Sequence, residues 1–157
     1  MRGGYGYPFA FILAAEKGKG GTERMLLQFD GASRGNPGRA GAGFVLYDKN
    51  KDEVASGRAY VGDAATNNEA EYVALLRGLE LARASGDPAA ALQVQGDSLL
   101  VIQQMRGAWK VKAARLRPLH AAARRLAAAR PGAIVYEHIP RRRNARADAL
   151  ANQALDE

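Results

Sequence analysis

The feature that most constrains this chain is a change of hydrophobic period at Thr66. Before that point the apolar residues fall in short extended runs, and after it they recur at helical spacing. Met25–Asp30 (Met-Leu-Leu-Gln-Phe-Asp) reads as a strand, and Ala42–Tyr47 and Val54–Val61 read as two more, the latter pair joined by the polar turn 48–53. Between the first two lies a Gly/Asn/Pro-rich stretch over 31–41, which reads as a turn whose glycines form a tight hairpin. Thr66-Asn-Asn-Glu69 then has the spacing of a capping box. Tyr72, Leu75, Leu76, Leu79 and Ala82 follow at helical spacing, which predicts a helix to about Ser85 with Gly86 beyond its end. The remainder alternates: a strand over 91–95, a short helix over 98–106 closed by Gly107, a helix over 115–129 stopped by Pro131-Gly132, a strand over 134–139, and a last helix over 144–155 capped by Asn144. Three strands followed by helix–strand alternation predict an α/β protein, a mixed sheet with helices on its faces.

At 157 residues the chain suits a single domain able to bury a real core. It has no cysteine, which excludes a disulfide scaffold and a thiolate metal site. Its formal net charge of +7 is unevenly spread. Residues 98–146 hold 12 of the 23 Lys and Arg and a single acid, Glu137, so the rest of the chain is mildly acidic. A cationic stretch of this kind suits a groove that neutralises phosphates, although a solvated helix face has the same composition. Residues 1–24 differ from the rest: Gly/Tyr-rich, then apolar over 8–15, then Lys17-Gly-Lys-Gly-Gly21, as a flexible extension would be. The apolar run is far short of the ~20 residues of a membrane span, and it is a poor signal-peptide core. Met25 stands at the head of the first strand and is a candidate natural start. The domain is accordingly expected over 25–157.

Four acids sit where their neighbours argue against them. Asp30 closes an apolar strand, Asp97 follows another where a helix begins, Glu71 lies in the first turns of the capped helix, and Asp148 lies among Ala145, Ala147, Ala149 and Leu150. Singly, each has an ordinary structural use as a turn starter, an N-cap or a helix-dipole acid. Clustered carboxylates repel and persist only with cations among them. Without cysteine, such a cluster specifies hard oxygen ligation, hence Mg²⁺ or Mn²⁺ rather than zinc. Glu69 and Glu71 are two apart on one helix and point about 200° apart, so only one of them can reach such a site.

Phe29-Asp-Gly-Ala-Ser-Arg-Gly-Asn-Pro-Gly38, Thr66-Asn-Asn-Glu-Ala-Glu-Tyr72, Gly96-Asp-Ser98 and Asn144-Ala-Arg-Ala-Asp-Ala-Leu-Ala-Asn152 together resemble type 1 ribonuclease H, in the compact branch common in bacteria and archaea. The resemblance covers about residues 25–155. It implies the ribonuclease H-like fold, a five-stranded mixed sheet made of a three-stranded antiparallel meander plus two parallel strands, with helices on both faces. It implies an endonuclease that hydrolyses the RNA strand of RNA–DNA hybrids, leaving 5′-phosphate and 3′-hydroxyl ends. Asp30, Glu71, Asp97 and Asp148 would hold two Mg²⁺ ions about 4 Å apart, with Mn²⁺ as an alternative. Glu71, not Glu69, falls at the ligand position, and Glu69 is left to the capping box. His138, ten residues before Asp148, falls where the family carries a histidine that moves a proton or releases product.

The same resemblance places Gly31, Ser33, Asn36 and Asn68 for reading RNA 2′-hydroxyls in the wide minor groove. Thr66 and Asn36 match positions that touch the DNA strand. Lys110 and Lys112, around Trp109, stand where longer relatives carry a basic substrate-binding protrusion, here abbreviated. The implied protein is a cytoplasmic monomer whose partner is the hybrid alone, with no membrane or protein partner. Two other readings are a catalytically silent nucleic-acid-binding module and a relative acting on another nucleic acid. The glycines offer no nucleotide alternative: there is no Gly-Lys-Ser/Thr, and Gly41-Ala-Gly43 lacks a third glycine.

Overall fold

The structure is a computed structural model and describes residues 24–157. The expectations for residues 1–23, a flexible extension with a short apolar run, lie outside the described residues. The elements are β1 (Arg24–Gly35), β2 (Gly38–Tyr47), β3 (Glu53–Ala65), α1 (Asn67–Ser85), β4 (Ala91–Gly96), α2 (Leu99–Met105), α3 (Arg117–Ala128), β5 (Ile134–His138), a 3₁₀ turn (Arg141–Arg143) and α4 (Ala145–Asp156). They form one sheet in the order β3-β2-β1-β4-β5. The β1–β2 and β2–β3 pairs are antiparallel, and β1–β4 and β4–β5 are parallel. The expected meander plus two parallel strands is thus present.

Alternation along β1 assigns the two faces. Met25, Leu27 and Phe29 are buried in the main core with Leu75, Leu79 and Ala82 of α1 and Ala123 of α3. Asp30 lies on the other face, beside its register partner Gly43. There α4 packs, with Ala147, Leu150, Ala151 and Leu155 buried. Its C-terminal end is tied to the sheet by Arg34–Asp156 at 2.8 Å and by Arg39, whose Nη2 donates to the Leu155 carbonyl at 2.9 Å. The α1 N-terminus is the capping box that the sequence predicts: Thr66 Oγ1 accepts from Glu69 N at 3.1 Å, and Glu69 Oε1 accepts from Thr66 N at 2.8 Å. No helix among the described residues is long and apolar enough to cross a membrane.

Two sequence expectations are corrected. The stretch 31–41 is not a turn; β1 runs through to Gly35 and pairs with β2 as far as Gly35–Gly38, so the reversal is confined to Asn36-Pro37. Only Gly35, at φ +97°, owes its glycine to backbone conformation. Gly38 makes room for the reversal itself, since a Cβ there would lie 2.1 Å from the Arg34 carbonyl oxygen, and Gly31, Gly41 and Gly43 make room for helices. A Cβ on Gly31 would lie 2.3 Å from the Ala70 carbonyl carbon of α1, and Cβ atoms on Gly41 and Gly43 would lie 2.4 and 2.2 Å from the Ala151 and Ala147 carbonyl oxygens of α4. Asn144, expected to cap α4, occupies the N-cap position but makes no side-chain cap bond.

Candidate active site

The parallel pair β1–β4 ends at Phe29–Gly96, after which β1 continues alone with β2 and β4 gives way to α2. Asp30 and Asp97 are the next residue on each strand, so the divergence of the two strands sets their carboxylates side by side at the strand ends, where open α/β sheets gather ligands. Ser98, the N-cap of α2, accepts from Val101 N at 3.3 Å and fixes the turn that carries Asp97. Glu71 comes from the first turns of α1, which the missing Cβ of Gly31 allows close to β1. Oxygen atoms of Asp30, Glu71 and Asp97 lie within 4.8 Å of one another. Asp148, from the first turn of α4, lines the same cleft, with Gly31, Ser33, Asn68, Ser98, Arg141 and Asn152 around the acids.

Burial makes this grouping tense. Asp30 is 4% exposed and Glu71 8%. Burial first, then the charge of Asp97, pushes the Asp30 carboxyl up to about 8. Burial, then the charges of Asp30 and Asp97, raises Glu71 well above the usual carboxylate range. Glu71 Oε1 is buried without a hydrogen-bond partner. An acid cluster with an unpaired oxygen and no cysteine fits a divalent cation taking hard oxygen ligands. Glu69 points instead to the capping box and to Arg115 Nη2 at 3.6 Å, which separates the two glutamates as the resemblance does.

Five of the expected substrate-binding residues divide between two adjoining hollows, and Asn36 and Thr66 line neither. Gly31, Ser33 and Asn68 line the acid cleft. Lys110 and Lys112 line a second hollow with Trp109, Gln104 and Leu116, and Asn68 borders both. Trp109 is 45% exposed, so it lines a surface and is not core. Asn36 Oδ1 accepts from Asn67 N at 2.9 Å, joining the β1–β2 reversal to the α1 N-terminus and to Thr66, the cap residue. His138 is exposed at the end of β5 opposite Gly96 and is not among the residues lining the acid cleft.

Two cleft residues, Arg141 and Asn152, and the buried Asn144 behind them have no site role in the sequence reading. Arg141 reaches Asp148 Oδ1 at 3.8 Å with its side chain 81% exposed. Asn144 Nδ2 donates to the Phe29 carbonyl at 2.9 Å and approaches Asp97 Oδ2 at 3.4 Å. Asn152 Nδ2 donates to the Asp148 carbonyl at 3.0 Å. Asn144 and Asn152 bound the last of the motif blocks, one helical turn to either side of Asp148, but neither the block nor its spacing points to a partner.

Comparison with known proteins agrees with this geometry. Residues 28–154 match the family model described as "Reverse transcriptase-like". Ribonuclease HI of Halobacterium salinarum is 42% identical over 152 residues, covering 97% of this chain and 73% of that protein. The chain belongs to the ribonuclease HI family. The N-terminal RNase H domain of Rv2228c from Mycobacterium tuberculosis superposes with a TM-score of 0.80 at 42% identity, covering 86% of this chain and 95% of that one. LC11-RNase H1, solved in complex with RNA/DNA hybrid, gives 0.79 at 40% identity over 84% of this chain and 96% of that one. The chain spans only 36% of the full-length bifunctional protein Rv2228c, to which it is 43% identical.

Proposed function

We propose that this protein is an endonuclease that hydrolyses the RNA strand of RNA–DNA hybrids, leaving 5′-phosphate and 3′-hydroxyl ends, with two Mg²⁺ ions held by Asp30, Glu71, Asp97 and Asp148. The observation that carries the reading is the convergence of three buried or half-buried carboxylates within 4.8 Å, in a cleft that Asp148 also lines. When bound, the ions would activate a water and stabilise the leaving 3′ oxygen. Asp30, whose carboxyl feels Asp97, Asp148 and Glu71, would serve both ions. Glu71 and Asp97 flank it from α1 and the end of β4, and Asp148 closes the cleft from α4.

The remaining groups orient the substrate. Amides around Gly31 and Ser33, with the Asn36 and Asn68 side chains, face the RNA 2′-hydroxyls, and Thr66 stands by the DNA strand. Lys110 and Lys112, continuous with the cleft through Asn68, take phosphates farther along the duplex. Arg141 holds Asp148 across 3.8 Å and is exposed enough to turn to a phosphate when Asp148 engages an ion. His138 serves proton movement or product release from the end of β5. The reading carries with it a cytoplasmic monomer needing no protein partner.

The test offers end-labelled RNA–DNA hybrid, RNA duplex, single-stranded RNA and DNA duplex in parallel with Mg²⁺, Mn²⁺ or EDTA. Cleavage of the hybrid's RNA strand alone, and only with metal, is the expected result. Metal-independent cutting, or cutting of the DNA strand, overturns it.

A further inference from the structure

Residues 144, 148 and 152 are each one helical turn apart, so they share a face of α4. That face meets the point where β1 and β4 part. Asn144 is fully buried there. Its Nδ2 donates to the carbonyl of Phe29, the residue before Asp30, at 2.9 Å, and lies 3.4 Å from Asp97 Oδ2. One turn beyond Asp148, Asn152 Nδ2 donates to the Asp148 carbonyl at 3.0 Å and lies 3.4 Å from Asp148 Oδ1.

We propose that Asn144 and Asn152 are positioning residues for the ion site, a pair of amides that aim Asp97 and Asp148 into the cleft. The inference rests on the reading of those acids as ion ligands. Asn144 also sets the spacing of the two strands, because one amide group spans the β1 backbone and the first side chain past β4. The choice of residue type follows from charge. A carboxylate that must hold a cation can be oriented by a neutral N–H donor without losing its charge, whereas a lysine or arginine in the same place would neutralise it. Arg141 is the contrast: it pairs with Asp148 from an exposed position it can leave. Helix capping does not account for Asn144, whose side chain makes no cap bond. Its Oδ1 is buried with no hydrogen-bond partner, a cost to the fold that the bond to Phe29 offsets.

The experiment compares wild type, Asn144→Ala, Asn152→Ala, Asn152→Gln and Asp97→Asn, all stripped with EDTA. Isothermal titration with Mn²⁺ alone gives ion affinity, hybrid cleavage at saturating Mg²⁺ gives kcat and KM, and melting curves give stability. Each alanine variant is expected to weaken Mn²⁺ binding and lower kcat by about 10-fold or more with KM for the hybrid unchanged. Asn152→Gln, which keeps an amide donor, is expected to recover part of both. A purely structural role would lower the melting temperature and leave Mn²⁺ affinity alone. Folded Asn144→Ala and Asn152→Ala proteins with wild-type Mn²⁺ affinity and kcat would overturn the proposal. If Asn144→Ala does not fold, the partly exposed Asn152 position decides. Asp97→Asn separates the two levels: if it loses Mn²⁺ binding while the asparagine variants keep it, only this inference fails. If Asp97→Asn binds Mn²⁺ like wild type, the ligand assignment fails and takes the inference with it.

Discussion

Replacing Asp30 with asparagine separates what the acid cluster does for catalysis from what it costs the fold. The Asp30 carboxyl is raised from 3.8 to about 8 in the folded protein, chiefly by burial and then by Asp97. In the unfolded chain it returns to its ordinary value. Between those two pH values the metal-free folded state holds the proton more tightly than the unfolded state, so this contribution to stability is complete at acid pH and drains away as pH rises towards 8. At 1.36 kcal/mol per unit, the roughly 3 units up to pH 7 set a ceiling of about 4 kcal/mol on what the buried Asp30 carboxyl costs the fold at that pH. Asparagine keeps the shape and removes the ionisation. Recovery of even a third of that ceiling raises the melting temperature by about 3–5 °C for a domain of this size. Melting curves in EDTA from pH 4 to pH 8 should therefore show Asp30→Asn above wild type near pH 8, with the advantage vanishing near pH 4. Added Mg²⁺ should raise the wild-type melting temperature at pH 8 and leave the variant's unchanged, and hybrid cleavage by the variant should fall ~10³-fold or more. A variant that melts below wild type in EDTA at pH 8, or that cleaves the hybrid at the wild-type rate, refutes the reasoning.

Four further substitutions probe the cluster and the parts around it. Gly43→Ala places a Cβ 2.2 Å from the Ala147 carbonyl oxygen, so α4 must shift; urea unfolding should show a loss of about 3 kcal/mol, and stabilisation by Mg²⁺ should weaken with it. Glu71→Gln should abolish cleavage, whereas Glu69→Ala should cost about 1 kcal/mol of stability through the capping box and leave kcat nearly unchanged, and the reverse pattern in paired cleavage and melting assays would exchange their roles. Gln104→Leu leaves the buried Tyr72 hydroxyl, which donates to Gln104 Oε1 at 2.6 Å, without its acceptor, at about 1–3 kcal/mol, and frees the Lys110 carbonyl that Gln104 Nε2 holds at 3.3 Å. Steady-state kinetics on the hybrid should then show KM rising with kcat little changed.

What the sequence made legible depended on contrast with local surroundings. The capping box over Thr66–Glu69 is a local pattern of two reciprocal bonds, and it appears in the structure as expected. The four acids were visible because an acid beside an apolar strand or an alanine-rich helix is out of place. Glycine offers no such contrast. Gly35 serves a φ of +97°, while Gly31, Gly41 and Gly43 serve helices that pack within 2.4 Å of where a Cβ would stand, and both uses are written with one letter. The tight-hairpin reading of 31–41 therefore lost the strand residues that let α1 bring Glu71 to Asp30.

Asn144 failed for a related reason. An asparagine at a helix start already has a sufficient local explanation, and the partner it has, the Phe29 carbonyl, lies 115 residues away in sequence. Arg141 likewise has no meaning until β5 delivers the 3₁₀ turn to the mouth of the cleft and α4 presents Asp148 to it. Groups that carry charge into an apolar setting announce themselves along the chain. Neutral donors and small residues that set the distances between those charges do not, because their cost is local and their use is not. That asymmetry makes the asparagine pair on α4, rather than a fifth acid, the place where the chemistry of this site has most left to reveal.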